Sequence, residues 1–319
     1  MNTKNYQAPP EVICIGQVLM DCIVKGWDPA FCQERVQTAD SVTLSPGGDA
    51  FNESVILSRL GHHVQTICVL GYDLAGEMLE NLLQRNGVNT DKIIKSGQAR
   101  TPVAPLLVNA DGSRKSINAS SHLSDFLADF PEASLFKDVR VVSLASLFRA
   151  PLTDMNTILT ICREAKKAGA IVTADTKLPL INPVKISDMA DFLPYIDYIF
   201  PNEFEAEFYT EKTDYSEMIN VLLDHGVKNV IIKAGAQGCY AGNAHEFFHV
   251  PAYPVNAVDS TGAGDNFVAG FLSSLLNGCD FQSSVRFATA CSAVSVQSVG
   301  AVSGVTDREQ VEKLIAEFR

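Results

Sequence analysis

The stretch 257–271, AVDSTGAGDNFVAGF, decides how this chain is read. Two aspartates, Asp259 and Asp265, bracket Ser260-Thr261-Gly262-Ala263-Gly264, and an apolar run with helical spacing follows at once. Gly262, Ala263 and Gly264 carry almost no side chain, so the backbone can come close to a ligand and aim successive N–H groups at it. The helix that the pattern predicts over about 264–277 adds the positive end of its dipole. The combination is an anion hole. Asp265 falls in the first turn, within reach of the same ligand, and suits a base that accepts a proton from a hydroxyl. The same residues also fit an ordinary glycine-rich helix start with an acidic first turn.

Outward from this stretch, strand-like and helix-like runs alternate. EVICIG (11–16), VQTICVLG (64–71), VRVVSLAS (139–146), IVTADT (171–176), IDYIFPN (196–202) and NVIIKAG (229–235) read as strands. DAFNESVILSRLG (49–61), LAGEMLENLLQRNG (74–87) and TDMNTILTICREAKKAG (153–169) read as helices. Short β-rich runs alternating with helices predict an α/β three-layer sandwich, a mainly parallel central sheet covered by helices on both faces. The C-terminal third turns helical over 264–277, roughly 280–299 and 307–318, with Thr306 and Glu309 placed for a capping box. Two segments break the alternation, about 18–45 and 97–121, the second with Asp111-Gly112 as a hairpin turn. With no helix to cover them, they are expected to form a small β-sheet lid over a site at the carboxyl ends of the main strands. No repeat or Pro/Ser-rich linker divides the chain, so 1–319 is expected to be a single domain.

Composition narrows the partners. The chain has 319 residues and a formal charge of −12, with acid spread along its length. That excludes a nucleic-acid partner, which needs a basic face, so an anionic ligand must be held by local devices. No apolar run approaches the roughly 20 residues of a membrane span. The eight cysteines show no CxxC pair, and Cys14 and Cys291 sit in apolar runs, which fits buried free thiols in a reducing compartment. The polar opening MNTKNYQAPP lacks an apolar h-region, so no secretory signal is expected and the location expected is cytoplasmic.

DSTGAGD (259–265) resembles the C-terminal signature of the ribokinase-like (PfkB-type) carbohydrate kinases. PGGDAFN (46–52) is similar to the family's N-terminal glycine pair followed by an asparagine, GYDLAG (71–76) to its Gly-x-Asp-x-x-Gly element, and NEFE (202–205) to its Asn-x-x-Glu element. The four lie in the family's order across nearly the whole chain. The resemblance implies an ATP-dependent kinase that phosphorylates a hydroxymethyl group of a small sugar. It implies Asp265 as catalytic base, with Gly262, Ala263 and Gly264 as anion hole. Asp21, Gly48 and Asn52 would bind the sugar, and Asn202 and Glu205 would organise Mg²⁺ and phosphates. Lys233, Gly235 and Gly238 would line the nucleotide site. Asp259 and Thr261, with the loop around Ser298 and Gly300, would form a monovalent-cation (K⁺) site. A carboxylate at a helix N-terminus is expected to have a depressed pKa and to be a weak base, which a loose phosphoryl-transfer transition state tolerates.

Bland readings stand beside each role: a loop-to-helix turn at Gly47-Gly48, a turn residue at Asp21, a helix cap at Asn202 and Glu205, a strand-end charge at Lys233. Three positions depart from the family pattern. Asp49 follows the glycine pair where many relatives carry a small or uncharged residue, and could bind a further hydroxyl or a cationic group. Thr289 stands where many carry asparagine near the adenine. Arg149 follows a strand, as an exposed charge or a contact to an acidic substrate group. HEFFH (245–249) matches the zinc-protease pattern, but nearby Gly242, Asn243, Pro251 and Pro254 deny it a helix, so a short strand or loop is expected. No GxxxxGK[ST] occurs and no GxGxxG follows the first strand. The alternatives are a nucleoside kinase of the same family, with a base pocket from Trp27, Phe31 and Phe51, and a non-catalytic sugar- or nucleotide-binding regulator. The exposed edges of the lid strands would allow a homodimer.

Overall fold

The computed structural model describes residues 9–28, 36, 38–109, 114–117, 123–127, 133–180 and 183–318. Fourteen strands appear among them: β1 Val12–Ile15, β2 Leu19–Lys25, β3 Ser41–Gly47, β4 Val64–Ile67, β5 Val69–Gly71, β6 Ile94–Ser96, β7 Val103–Val108, β8 Arg114–Ser116, β9 Val141–Leu147, β10 Ile171–Thr176, β11 Tyr198–Ile199, β12 Asn229–Lys233, β13 Cys239–Asn243 and β14 Phe247–Val250. The helices are α1 Asp49–Arg59, α2 Leu74–Arg85, α3 Met155–Lys167, α4 Glu203–Thr210, α5 Tyr215–Asp224, α6 Ala263–Leu276, α7 Phe281–Ser295 and α8 Arg308–Glu317.

Eight strands form the main sheet in the order β14-β13-β12-β11-β10-β9-β1-β4. From β4 across to β12 every pairing is parallel; β12-β13-β14 finish the edge as antiparallel neighbours. The alternation of side chains sorts the core into two layers. Val12 and Cys14 of β1, Val141 and Ala145 of β9, and Ile231 of β12 pack with α1, α6 and α7. Their sequence neighbours Ile13, Ile15, Val142, Leu144, Val230 and Ile232 pack with α3 and α5. Both faces are therefore apolar, which is why β1 and β9 are buried along their whole length. This is the expected three-layer sandwich.

The lid is a separate four-stranded sheet in the order β3-β2-β7-β8. Its strands lie in the two segments that lacked covering helices, and β3 runs on to Gly47, where α1 begins. The Asp111-Gly112 turn and Phe31 lie outside the described residues.

Several local readings need adjustment. VQTICVLG is two strands, β4 and β5, since Val69–Gly71 leaves the main sheet to pair with β6. Helices α4 and α5 were not read from the sequence. The last helix is capped by Asp307, whose carboxylate accepts from Gln310 N–H at 2.9 Å; Thr306 lies one residue too early for the proposed box with Glu309. HEFFH contributes to β14, with His249 opposite Tyr240, and is no zinc helix. Cys14, Cys68, Cys162, Cys239 and Cys291 are buried free thiols. Among the described residues no helix is long and apolar enough to cross a membrane.

Candidate active site

The parallel strands end on one edge of the sheet, where open α/β folds bind ligands. A cavity of about 910 Å³ lies there, and its lining includes Asp21, Gly48, Asn52, Lys177, Tyr253, Val255, Thr289 and Val296. Gly262, Ala263, Gly264 and Asp265 belong to the same lining.

Asp265 sits in the first turn of α6 and is 5 % exposed. Its Oδ2 accepts a hydrogen bond from Asn52 Nδ2 at 2.6 Å, joining the first turns of α1 and α6 across 213 residues of chain. Burial, followed by the negative charge of Asp49, pushes the Asp265 carboxyl up to about 7, against the pull of Lys177 and the Asn52 hydrogen bond. The depressed pKa expected from the helix dipole is thus reversed. A dipole worth at most a couple of kcal/mol loses here to desolvation and a neighbouring like charge.

The glycine positions are set by close approach. At Gly262, φ is +73° and a Cβ would lie 2.6 Å from the Ala301 Cβ and 2.7 Å from its Cα. At Gly48, φ is +92° and a Cβ would meet the Gln17 carbonyl oxygen at 2.4 Å. The Ala263 N–H is donated to the Ser260 carbonyl at 3.2 Å. Gly262, Ala263 and Gly264 all line the cavity.

Asp21 is half-buried on β2, and burial raises its carboxyl to about 6. A Cβ on Gly47, on the neighbouring strand β3, would stand 2.4 Å from Asp21 Oδ2. Asp49 is not open to a cationic group, because Lys177 Nζ already lies 2.9 Å from its Oδ2. Lys177 follows β10, two residues after the fully buried Asp175, which Lys233 contacts at 2.7 Å. Burial works against the Lys177 ammonium, but Asp49, Asp175, Asp265 and Glu205 together outweigh it and hold its pKa well above the usual lysine value. Glu53, one helical turn after Asp49, is fully buried and is pushed strongly upward, by burial first and then by Asp175, Asp265 and Asp49. Its Oε2 accepts from Ser143 Oγ at 2.7 Å, which opposes that rise.

Asn202 and Glu205 make the capping box of α4. Asn202 Oδ1 accepts from Glu205 N–H at 2.9 Å, and Glu205 Oε2 accepts from Asn202 N–H and from Thr176 Oγ1, each at 3.0 Å. One Glu205 oxygen is thus engaged in structure. Lys233, Gly235 and Gly238 lie together on the cavity wall, and Lys233 Nζ would be 3.3 Å from a Cβ placed on Gly264. Asp259 ties its loop together: Oδ1 accepts from Thr261 N–H and Oγ1, and Oδ2 from Gly300 N–H at 3.0 Å. Ser298 belongs to the same loop, its N–H bonded to the Ser295 carbonyl. Arg149 donates to the carbonyls of Phe148 and Leu178 rather than standing free.

The residues that the sequence reading missed are Asp175, Lys177 and Glu53. The first two could have been found as charges at the end of an apolar strand, IVTADTK. Glu53 carried a weaker signal, an acid four positions from Asp49 and so on the same helical face.

Fold and cavity together define an α/β enzyme that holds a small ligand at the carboxyl edge of a mainly parallel sheet. The pfkB family carbohydrate kinase model matches residues 9–308, and the chain belongs to that family. It is a carbohydrate kinase, a phosphotransferase. Its relatives include a ribokinase of Haemophilus influenzae, 31 % identical over 284 residues that cover 86 % of this chain and 88 % of that one. Fructokinase-1 of Zea mays is 29 % identical over 320 residues, covering 95 % and 97 %. Among solved structures, Arabidopsis thaliana ribokinase complexed with ribose and ATP superimposes with a TM-score of 0.84 at 22 % identity, covering 97 % of this chain and 99 % of that one. Thermotoga maritima ribokinase gives 0.83 at 24 % identity, covering 96 % and 99 %.

Proposed function

We propose that the protein, acting as one kinase domain over 1–319, transfers the terminal phosphoryl group of ATP to a hydroxymethyl group of a small sugar. The observation that carries this reading is the Asp265 carboxyl, buried in the first turn of α6 on a cavity that Asp21, Gly48, Asn52 and Lys233 also line. The acceptor is held by Asp21, Gly48 and Asn52. Asp265 orients the hydroxyl and takes its proton, and with a pKa near 7 it is a stronger base than an ordinary aspartate. The Gly262 and Gly264 amides and Lys233 face the charge that develops on the transferring group. Closure of the lid excludes water, so that the phosphoryl group reaches the sugar rather than solvent. The nucleotide base takes the Tyr253, Val255 and Thr289 end.

Asn202 and the second oxygen of Glu205 are hard oxygen donors of the kind Mg²⁺ takes, and they would hold it directly or through water. The ion would neutralise phosphate charge. Asp259 and Thr261, with Ser298 and Gly300 of the segment that the Asp259 carboxylate ties to them, would hold K⁺. A nucleoside acceptor finds less support. Phe51, one of the aromatics considered for a base pocket, is 1 % exposed and belongs to the core.

The test is ADP release by the purified protein with Mg²⁺-ATP and K⁺ over ribose, fructose, 2-keto-3-deoxygluconate, tagatose 6-phosphate, adenosine, inosine and a no-acceptor blank. One sugar is expected to raise turnover well above the blank, and Asp265→Asn to abolish that turnover while ATP still binds. Retention of more than a few per cent of activity by Asp265→Asn would remove the base assignment. A nucleoside as the sole acceptor would replace the sugar reading.

A further inference from the structure

Three carboxylates crowd the acceptor end of the cavity. One oxygen each from Asp49, Asp175 and Asp265 lies within 4.8 Å of the others. Like charges at this spacing in buried surroundings do not all stay ionised without a cation among them. A side chain supplies that cation. Lys177 Nζ stands 2.9 Å from Asp49 Oδ2 and 4.0 Å from Asp175 Oδ2, and neither oxygen has a hydrogen-bond donor of the ordinary geometry.

We propose that Lys177 is a positioning residue, the tethered counter-ion of this aspartate cluster, which holds Asp49 in place and favours the charged form of Asp265. Its kinetic half rests on the proposed role of Asp265 as base; its electrostatic half does not. The groups around Asp265 leave no other candidate. Asn52 gives it one neutral hydrogen bond. From α1 come Asp49 and Glu53, from the segment after β9 Arg149, from the end of β10 Asp175 and Lys177, from α4 Glu205, and from β2 Asp21 on the same cavity. Lys233, on β12, is committed to the far oxygen of Asp175, Oδ1, at 2.7 Å. Arg149 feels the charges of Asp49 and Glu205 but donates to the carbonyls of Phe148 and Leu178, so among the described residues Lys177 is the cation that remains between Asp49 and Asp265.

The inference also explains Asp49. On its own, an acid beside the glycine pair would oppose ionisation of the base. As the anchor of Lys177, it fixes the ammonium where it offsets that effect.

The experiment is a carboxyl ¹³C NMR titration of the substrate-free, aspartate-labelled protein, with Asp265→Asn identifying the Asp265 resonance. Lys177→Met is expected to raise the Asp265 midpoint by about one pH unit or more, and Lys177→Arg to leave it within roughly a few tenths. Lys177→Gln, which keeps a hydrogen-bond donor but removes the charge, is expected to raise it likewise, and this arm decides if Lys177→Met does not fold. An unmoved midpoint in folded Lys177→Met, or in Lys177→Gln where that arm decides, overturns the proposal. The acid limb of kcat/KM should follow the same order across the variants. Midpoints that shift while the kinetic limb stays fixed would leave the counter-ion standing and show that Asp265 is not the base.

Discussion

Asp265 is held in a state that costs the fold energy. Its carboxyl in the native protein titrates near 7, whereas in the unfolded chain it returns to the ordinary value of 3.8. A raised value means that the folded state binds the proton more tightly, so the stabilisation is fully present below about 3.8. It is lost as pH rises through about 7. Above 7 the protein carries a buried charge that it would be more stable without. Asp265→Asn keeps the shape and can still accept from Asn52, but it has no charge. It is therefore expected to stabilise the protein by roughly 4 kcal/mol at pH 8, by roughly 1.5 kcal/mol at pH 5 and to change little at pH 3, measured by denaturant unfolding at the three values. Equal effects at the three pH values would show that the carboxyl is not raised. The same titration sets the rate: with the carboxylate as the active form, kcat/KM should fall about tenfold per unit below pH 7. Stability and activity are thus opposed at one atom, as expected for a group built for chemistry rather than for the core.

At the scale of elements, the turn into α6 makes a prediction that separates folding from function. Gly262→Ala would force φ +73° on a residue with a Cβ and drive that Cβ to 2.7 Å from the Ala301 backbone. A backbone atom cannot swing aside, so a loss of about 1–3 kcal/mol together with most of the activity is expected. Gly264→Ala meets only the Lys233 ammonium, at 3.3 Å, within a helix that favours alanine. Its melting temperature should hold or rise, while the KM for ATP rises because the added methyl group crowds the donors facing the phosphates. Thermal unfolding and steady-state kinetics on the two variants check this; equal loss of stability in both would contradict it. The local signals at this turn were legible in the sequence because small residues, an acid and a helical apolar run are adjacent there. Strands such as Val12–Ile15 and Val141–Leu147 were legible for the same reason, since burial on both faces makes them continuous apolar runs. Relations between distant elements were not. Nothing in DAFNE or ADTK says that the ends of α1 and β10 meet, so the Asp49–Lys177 pair was invisible and Asp49 looked available to substrate. The sign of the Asp265 shift failed for the same cause: the dipole is local and readable, whereas the burial and the Asp49 charge that outweigh it are tertiary.

Across the whole molecule, the acceptor end of the cavity joins two bodies of unequal support. The main sheet is sealed by helices on both faces, whereas the lid offers Val42, Leu44 and Val103 to solvent at 63 %, 59 % and 41 % exposure. An element with few buried contacts opens locally at low free energy, long before the global transition. Asp21 comes from the lid strand β2, while Asn52 and Asp265 belong to helices packed on the main sheet. An acceptor held by all three cross-links the lid to the body, and only the state with the lid docked can make every contact. Hydrogen exchange should therefore slow in β2, β3 and β7 when saturating sugar is added. β1 and β9, already sealed in the core, should exchange as slowly as before. ATP alone, if it takes the Tyr253 and Val255 side of the cavity as proposed, should leave the lid unprotected. Asp21→Ala should remove the sugar-dependent protection and raise the KM for sugar while leaving the affinity for ATP within about twofold. Protection confined to the main sheet, or lid protection that survives Asp21→Ala, would mean that the acceptor does not bridge the two sheets and that the lid closes on something else.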